Sequence, residues 1–484
     1  MKLPFLALVC FIAGSRLVQG KLTFCYYSSD ANYRPKPLGA FWPEDIDTNL
    51  CTHIIFAFAD VDGYHMKPAI PEHLDRPWAK GLYSRTIALK KRNPNLKVLI
   101  AVGGWKVGSK PFAALIKTFW SRQQWVNNMV RYLRQYGFDG LDMDWEFPGI
   151  RGSDRSDKPK FTSYLRQIQD AFKEEARKTG KEKLILTLAT AAGRGFIEAG
   201  YEPKEIVKHV DYLLVMTYNY HGQWEDNVGH HSGIYKNRID KGWRQELNQE
   251  WTVNFWLDAG IHPSRFIMGI ATYGMSYTLL SRWKHNIGDN ATRGGRPGPY
   301  TTERGVLAYY EICQFQKNNN WKRVWIPEQF APYSYGGDQW VGYDDVESIG
   351  HKARFLNEKN LGGAFVWSVE MDDFTGQGCG QGKYPLLKEI NRIIGGPSAA
   401  NSRPRPQKNE APTSTGFQSP GVTGVSCSRL GPGLHRDPTK CRNFHLCVVW
   451  GNKLASYQLT CPVNTGFDAK RNSCMWMESC QWWN

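Results

Sequence analysis

The sequence predicts an α/β protein organised as a (β/α)8 barrel, and two observations carry that prediction. Short β-branched runs alternate with longer amphipathic segments, as in Lys97–Ala101, then Trp125–Tyr136, then Gly140–Asp144, a rhythm of strand–helix units that builds a parallel sheet. Eight such strands can be marked between residues 21 and 395, the number that closes a parallel sheet into a barrel with its active site at the carboxyl ends of the strands.

In chain order, Met1 to Gly20 comes first. Lys2, an apolar run from Leu3 to Ala13 and small residues before Lys21 form the pattern of a cleaved signal peptide. The run is too short to anchor in a bilayer, and no later stretch is long and apolar enough to span one. The mature chain is therefore expected to be secreted and extracellular, with no membrane span. The strands follow as Leu22–Tyr27, His53–Ala59, Lys97–Ala101, Gly140–Asp144, Leu184–Leu188, Tyr212–Met216, Phe266–Gly269 and Ala364–Trp367. Between about 274 and 346 the chain is longer than one loop and helix require. Over 396–424 the composition shifts to Pro, Ser, Thr, Asn and Gly, which cannot bury a core and reads as a linker.

Beyond it, over 425–484, Cys427, Cys441, Cys447, Cys461, Cys474 and Cys480 crowd into a segment too small to be held by apolar burial alone. Disulfides would supply what its core lacks. Zinc is the competing reading, but neither close Cys-x-x-Cys pairs nor a suitable His pair is present. Of the 11 cysteines Cys10 leaves with the signal, and the rest form an even set that can pair completely.

The net charge is +16 and falls by two when Lys2 and Arg16 are removed. A nucleic-acid binder would gather that charge into an aromatic-interleaved stripe. Here Lys80 and Lys90-Lys91-Arg92 are scattered among acids, so no nucleic-acid partner is expected, and the basic surface can help the protein dwell on acidic matrix components.

The densest chemistry lies in Phe138-Asp-Gly-Leu-Asp-Met-Asp-Trp-Glu146. Side chains alternate along a strand, so Asp142, Asp144 and Glu146 project from one face, about 6–7 Å between successive Cα atoms. Leu141, Met143 and Trp145 are apolar and bury the other face, which turns the acids toward an enclosed interior. Repulsion among them raises the affinity of at least one for a proton. A carboxyl held neutral beside an ionised one is what acid-catalysed glycosidic cleavage needs.

Asp139, Asp142, Asp144 and Glu146 match D-x-x-D-x-D-x-E, the signature of family-18 glycoside hydrolases. Ala101-Val-Gly-Gly-Trp105 resembles the family's third-strand motif, Met216-Thr-Tyr-Asn-Tyr-His-Gly222 its sixth, Gly269-Ile-Ala-Thr-Tyr-Gly274 its seventh and Gly362-Gly-Ala-Phe-Val-Trp367 its eighth. The resemblance covers roughly residues 22–395 and implies a TIM barrel with a small α+β insertion walling one side of the cleft. The cysteine-rich tail resembles the invertebrate-type, peritrophin-like chitin-binding module of many animal chitinases. These resemblances imply the pairs Cys25–Cys51 and Cys313–Cys379 in the barrel, and Cys427–Cys447, Cys441–Cys480 and Cys461–Cys474 in the tail.

They also imply a function. The chain resembles an endo-acting chitinase cutting β-1,4-linked N-acetylglucosamine polymers, with chitin and its oligomers as partners, a monomer as the working state, and no metal or other cofactor. Glu146 would protonate the glycosidic oxygen while the substrate's own 2-acetamido oxygen attacks the anomeric carbon, so no second carboxylate is needed as nucleophile. Asp144 would hold the acetamido N–H, Asp142 would exchange a proton or hydrogen bond with Asp144, and Tyr218 would hydrogen-bond the acetamido carbonyl. Tyr26, Phe58, Gly104, Met216, Asn219 and Tyr273 match positions that line the pocket.

The sequence has 19 Trp, and most are expected to be core. The family places Trp367 as the floor beneath the cleaved sugar, and Trp105 and Trp224 would line neighbouring subsites. In the tail Trp450, Tyr457, Phe467, Trp476, Trp482 and Trp483 are candidates for a chitin-facing strip. The sequence departs from the usual animal pattern at Asn219, where Asp is general, at Met275, where Arg or His is common, at Lys106 for Asn, and at Asp30 for Trp. Substituting Asn for Asp removes negative charge near Glu146 and implies a more acidic proton donor. The rival reading is a lectin-like relative that binds chitin without cutting it, and Glu146 itself argues against it, because such relatives usually replace the acid. Hydrolysis of glycoprotein glycans is a third reading, disfavoured by the tail, and a purely structural matrix protein has no use for the acid row. Asn290-Ala-Thr292 is an N-glycosylation sequon in a Gly- and Pro-rich loop.

Overall fold

The computed structural model describes residues 20–397 and, in the C-terminal module, 433–436, 443–450, 453–461, 465–468 and 473–476. The expected signal peptide and linker lie almost entirely outside these residues. Eight parallel strands close on themselves: β1 (Leu22–Ser28), β2 (His53–Asp62), β3 (Lys97–Gly103), β4 (Gly140–Asp144), β5 (Ile185–Thr190), β6 (Tyr212–Val215), β7 (Phe266–Ala271) and β8 (Gly363–Trp367). Each pairs with its neighbour in sequence, and β8 returns to β1 with Leu22 opposite Gly363. Buried on both faces, these strands are almost continuously apolar; β4 and β7 are buried along their whole length. Several strand ends differ from expectation. β2 runs on to Asp62 and turns back antiparallel through His65–Pro68, and Met216 falls just past the end of β6.

The helices show why the chain leaves each strand where it does. Helix Phe119–Tyr136 starts where the Thr118 hydroxyl accepts from the Ser121 N–H at 3.0 Å and stops at Gly137, whose φ of 78° favours a residue without a side chain. Trp125, Val126, Met129 and Leu133 recur at helical spacing and are buried against the barrel.

Between β7 and β8 lies the expected α+β insertion. Its antiparallel sheet pairs Tyr273–Leu279 with Gln339–Gly342, which pairs in turn with Ala331–Gly336, and it carries helix Tyr309–Asn318. Tyr277, Tyr333 and Trp340 pack as its own small core. The insertion's last strand leads to Asp344, whose carboxylate is buried against Lys352 at 2.5 Å and bonded by Ser232 and Ser348 hydroxyls. The disulfides Cys25–Cys51 and Cys313–Cys379 are both present.

The C-terminal module contains a three-stranded antiparallel sheet, Gly433–Arg436, Asn443–Trp450 and Lys453–Thr460, and a hairpin of Thr465–Asp468 with Ser473–Trp476. Its register pairs Leu446 with Tyr457 and Trp450 with Lys453, which puts positions 450 and 457 on one face. Cys461 is disulfide-bonded. The remaining pairings expected in the module, and the side chains of its candidate aromatic residues, lie outside the described residues. Among the described residues no helix is long and apolar enough to cross a membrane.

Candidate active site

At the carboxyl end of β4 the alternation works as the pattern requires: Leu141, Met143 and Trp145 are buried among helices, and Asp142 and Asp144 point into the barrel. Asp142 is fully enclosed and accepts from the Tyr26 hydroxyl at 2.7 Å and the Thr187 hydroxyl at 2.5 Å. Both its oxygens are therefore engaged by β1 and β5, whereas Oδ1 of Asp144 is buried without a hydrogen-bond partner. Glu146 lies two residues past the strand end and is only partly buried, at the barrel mouth.

The three carboxyls are all less acidic than usual, for different reasons. Burial pushes Asp142 up to about 6 against the pull of the Thr187 and Tyr26 hydroxyls. Burial, then the charges of Glu146 and Asp142, hold Asp144 well above the ordinary range. Burial raises Glu146 to about 7, opposed by the Arg151 guanidinium and the Trp105 backbone N–H. The repulsion that the sequence predicts thus falls on the middle acid, while Glu146 owes its weakness to lost solvent.

The walls come from the neighbouring strand ends. Trp367 closes β8, with the Tyr26 ring at 5.3 Å and the Phe58 ring at 5.7 Å. Gly104 has φ of 80°, and a Cβ there would stand 2.7 Å from the Phe58 ring, so only glycine lets that ring approach; its N–H also donates to the Asp144 carbonyl at 2.7 Å. Tyr218 is buried, its ring 6.1 Å from that of Tyr273, and burial with the nearby carboxyls keeps its hydroxyl protonated as a donor. Tyr273 donates to Oδ1 of Asn219 at 2.6 Å, and Asn219 is exposed with φ of 57°. Met216 is half-buried beside this group.

Trp105 and Trp224 are both exposed. The Arg151 guanidinium lies 3.6 Å from the Trp105 ring centre and donates to the Trp105 and Glu146 carbonyls, both at 2.8 Å. Trp224 lies over Gly222, where a Cβ would meet the indole at 2.3 Å and the Met275 methyl at 2.7 Å. Met275 is therefore apolar packing beneath Trp224. Lys106 and Asp30, two other departures, face each other at 3.3 Å across exposed surface. Asn290 stands apart on the insertion, exposed and bonded to Asn227 at 2.8 Å. Sequence reasoning missed Thr187 and Arg151. Thr187 carries a readable signal, since it is a polar residue inside an apolar strand; Arg151 does not, because a left-handed turn at φ 54° aims it.

The chain resembles several known proteins. Mouse chitotriosidase-1 is 39% identical over 455 residues, 93% of this chain and 94% of that protein. An immunomodulatory active chitinase from Trichuris suis superposes with a TM-score of 0.74 at 34% identity, covering 77% of this chain and all of that one. Human YKL-39, described as a pseudo-chitinase with retained chitooligosaccharide binding, superposes at 0.73 with 37% identity over 78% of this chain and 100% of its own. Residues 427–481 match the chitin binding Peritrophin-A domain. Residues 22–372 match the glycosyl hydrolases of family 18, and the chain belongs to that family.

Proposed function

We propose that the chain is a secreted chitinase that hydrolyses β-1,4-N-acetylglucosamine linkages with retention, using Glu146 as proton donor and the substrate's acetamido oxygen as nucleophile. The observation that carries this reading is Glu146 itself, raised to about 7 by burial yet partly exposed at the barrel mouth. Below neutrality such a group holds a proton and can give it to the bridging oxygen. As that C–O bond breaks, the acetamido oxygen of the same sugar bonds to the anomeric carbon, an intramolecular attack with a large entropic advantage. The Glu146 carboxylate then takes a proton from the water that opens the oxazolinium ring.

Asp144 has a free oxygen for the acetamido N–H, and the cation forming above it favours its anion. Asp142, on the same face of β4 and held by the Tyr26 and Thr187 hydroxyls, takes up the proton that Asp144 releases. Tyr218 donates to the acetamido oxygen and Trp367 supports the sugar ring. The signal-peptide pattern supports secretion, and the match over 427–481 supports chitin as the polymer.

Similarity to YKL-39 favours a second reading, oligosaccharide binding without cleavage. A soluble chitin oligomer incubated with native protein and with Glu146→Gln decides between them. The hydrolase reading expects shorter sugars from the native protein and a loss of about 10²–10⁴-fold in kcat for the variant, with binding retained. Equal binding and no cleavage by either would establish the lectin.

A further inference from the structure

The rim of the barrel carries an aromatic patch that the catalytic reading does not use. β2 holds Phe58 against the cleft and then continues beyond the barrel to a hairpin with Tyr64 at its tip. The loop after β3, which carries Gly104 and Trp105, leads on to helix Phe119–Tyr136, whose first two residues are Phe119 and Trp120. In a (β/α)8 barrel the helices begin on the face where the strands end, so these residues stand on the mouth side. The two continuations meet there: the Tyr64 and Trp120 rings are 5.5 Å apart at 87°, and Asn128 donates to the Tyr64 carbonyl at 2.8 Å, fixing the hairpin to the helix.

The patch is open to solvent. Tyr64 is 41% exposed, Trp120 59% and Phe119 65%. Single exposed aromatics are ordinary on protein surfaces, but two held together by a ring contact and a backbone hydrogen bond, with a third next to them in the chain, are not. The next turns of the helix present Gln123, whose amide donates to the Asn127 side chain at 3.1 Å. Aromatic faces that accept apolar C–H surfaces, beside planar amides that both donate and accept, match the alternating chemistry of an acetylated sugar chain.

We propose that Tyr64, Phe119 and Trp120 form a second docking surface of the catalytic barrel, whose occupant is the surface of insoluble N-acetylglucosamine polymer. This rests on the reading of the cleft as chitin-cleaving. The argument for that occupant is continuity: both elements of the patch are extensions of elements that line the cleft, on the same face of the barrel. A polymer sheet lying against the rim would be held beside the mouth while one of its chains enters the site.

The test uses the full chain and the variants Trp120→Ala and Phe119→Ala/Trp120→Ala. Rates are measured on crystalline chitin and on a soluble oligomer, together with the apparent Kd on chitin particles. The proposal expects the crystalline rate to fall about three- to tenfold and the soluble rate to stay unchanged. An unchanged ratio of the two rates overturns it, as does a native dimer in sedimentation velocity that Trp120→Ala dissolves. Should the native protein cleave no oligomer, the cleft reading fails on its own. The patch is then judged by Kd alone: weaker particle binding by the double variant supports it, and equal binding overturns it.

Discussion

Asp344 and Asp144 are almost equally sealed from water, yet they differ in acidity in opposite directions. Burial alone would raise both. At Asp344 the Lys352 ammonium 2.5 Å away and the Ser232 hydroxyl more than offset it, and the carboxyl ends below its ordinary range. Lys352 is itself lowered by burial, but the close contact and the hydroxyls completing the carboxylate favour the charged pair. At Asp144 no cation is supplied and two further acids stand on the same strand face, so the proton stays. Glu370 lies between the extremes: Arg34 at 3.4 Å does not overcome burial, and the group remains raised. The lesson is that a buried acid keeps its proton where no cation is set against it and loses it where one is.

Breaking the structural pair should give the largest effect. Lys352→Met leaves Asp344 buried and unmatched, and a destabilisation of about 3–5 kcal/mol is expected in denaturant unfolding. Asp344→Asn added to it should recover much of that loss, and failure to recover would mean the pair is not the cause.

The acid row of β4 should behave in the reverse sense. Its folded pKa values are raised, about 6 for Asp142 and about 7 for Glu146, so its contribution to stability is present below the ordinary carboxyl range and is lost as pH climbs toward 7. Glu146→Gln removes part of that penalty. Its Tm should exceed the native value near pH 8, with the gap closing near pH 4; a gap constant in pH would remove the contrast between the two regions.

How far the site could be read from sequence depends on how each residue is aimed. Asp142, Asp144 and Glu146 were legible because strand alternation fixes their direction from spacing alone. Trp367 and Tyr218 were legible only through family motifs, since nothing in their spacing distinguishes them from core aromatics. The barrel followed from eight apolar runs, but the outward extension of β2 to Asp62 did not, because its last residues pair with a short returning strand instead of the barrel. Arg151 was invisible, as its reach to Trp105 and Glu146 is set by a turn and not by a repeat.

That residue offers a finer way to sharpen the comparison. Among the described residues Arg151 is the cation that pulls Glu146 down, so Arg151→Gln should move the alkaline limb of the kcat/KM profile upward by roughly half a unit. A limb that stays put would show that solvent screens the guanidinium. The smallest effect is expected from Asn219→Asp, which places a carboxylate beside Tyr273 near the row. The limb should rise by roughly a few tenths of a unit, because the exposed charge is screened; no rise would mean that Asn219 does not account for the acidity of the donor.

The contact between Asp344 and Lys352 also fixes the insertion at its base. It joins the end of the insertion to the helix before β8, and Ser232 from the loop after β6 joins the same carboxylate. Swinging that wall outward like a jaw would tear an ammonium from its counter-ion with no water on hand to replace it. The set of that wall against the barrel is therefore fixed when the chain folds.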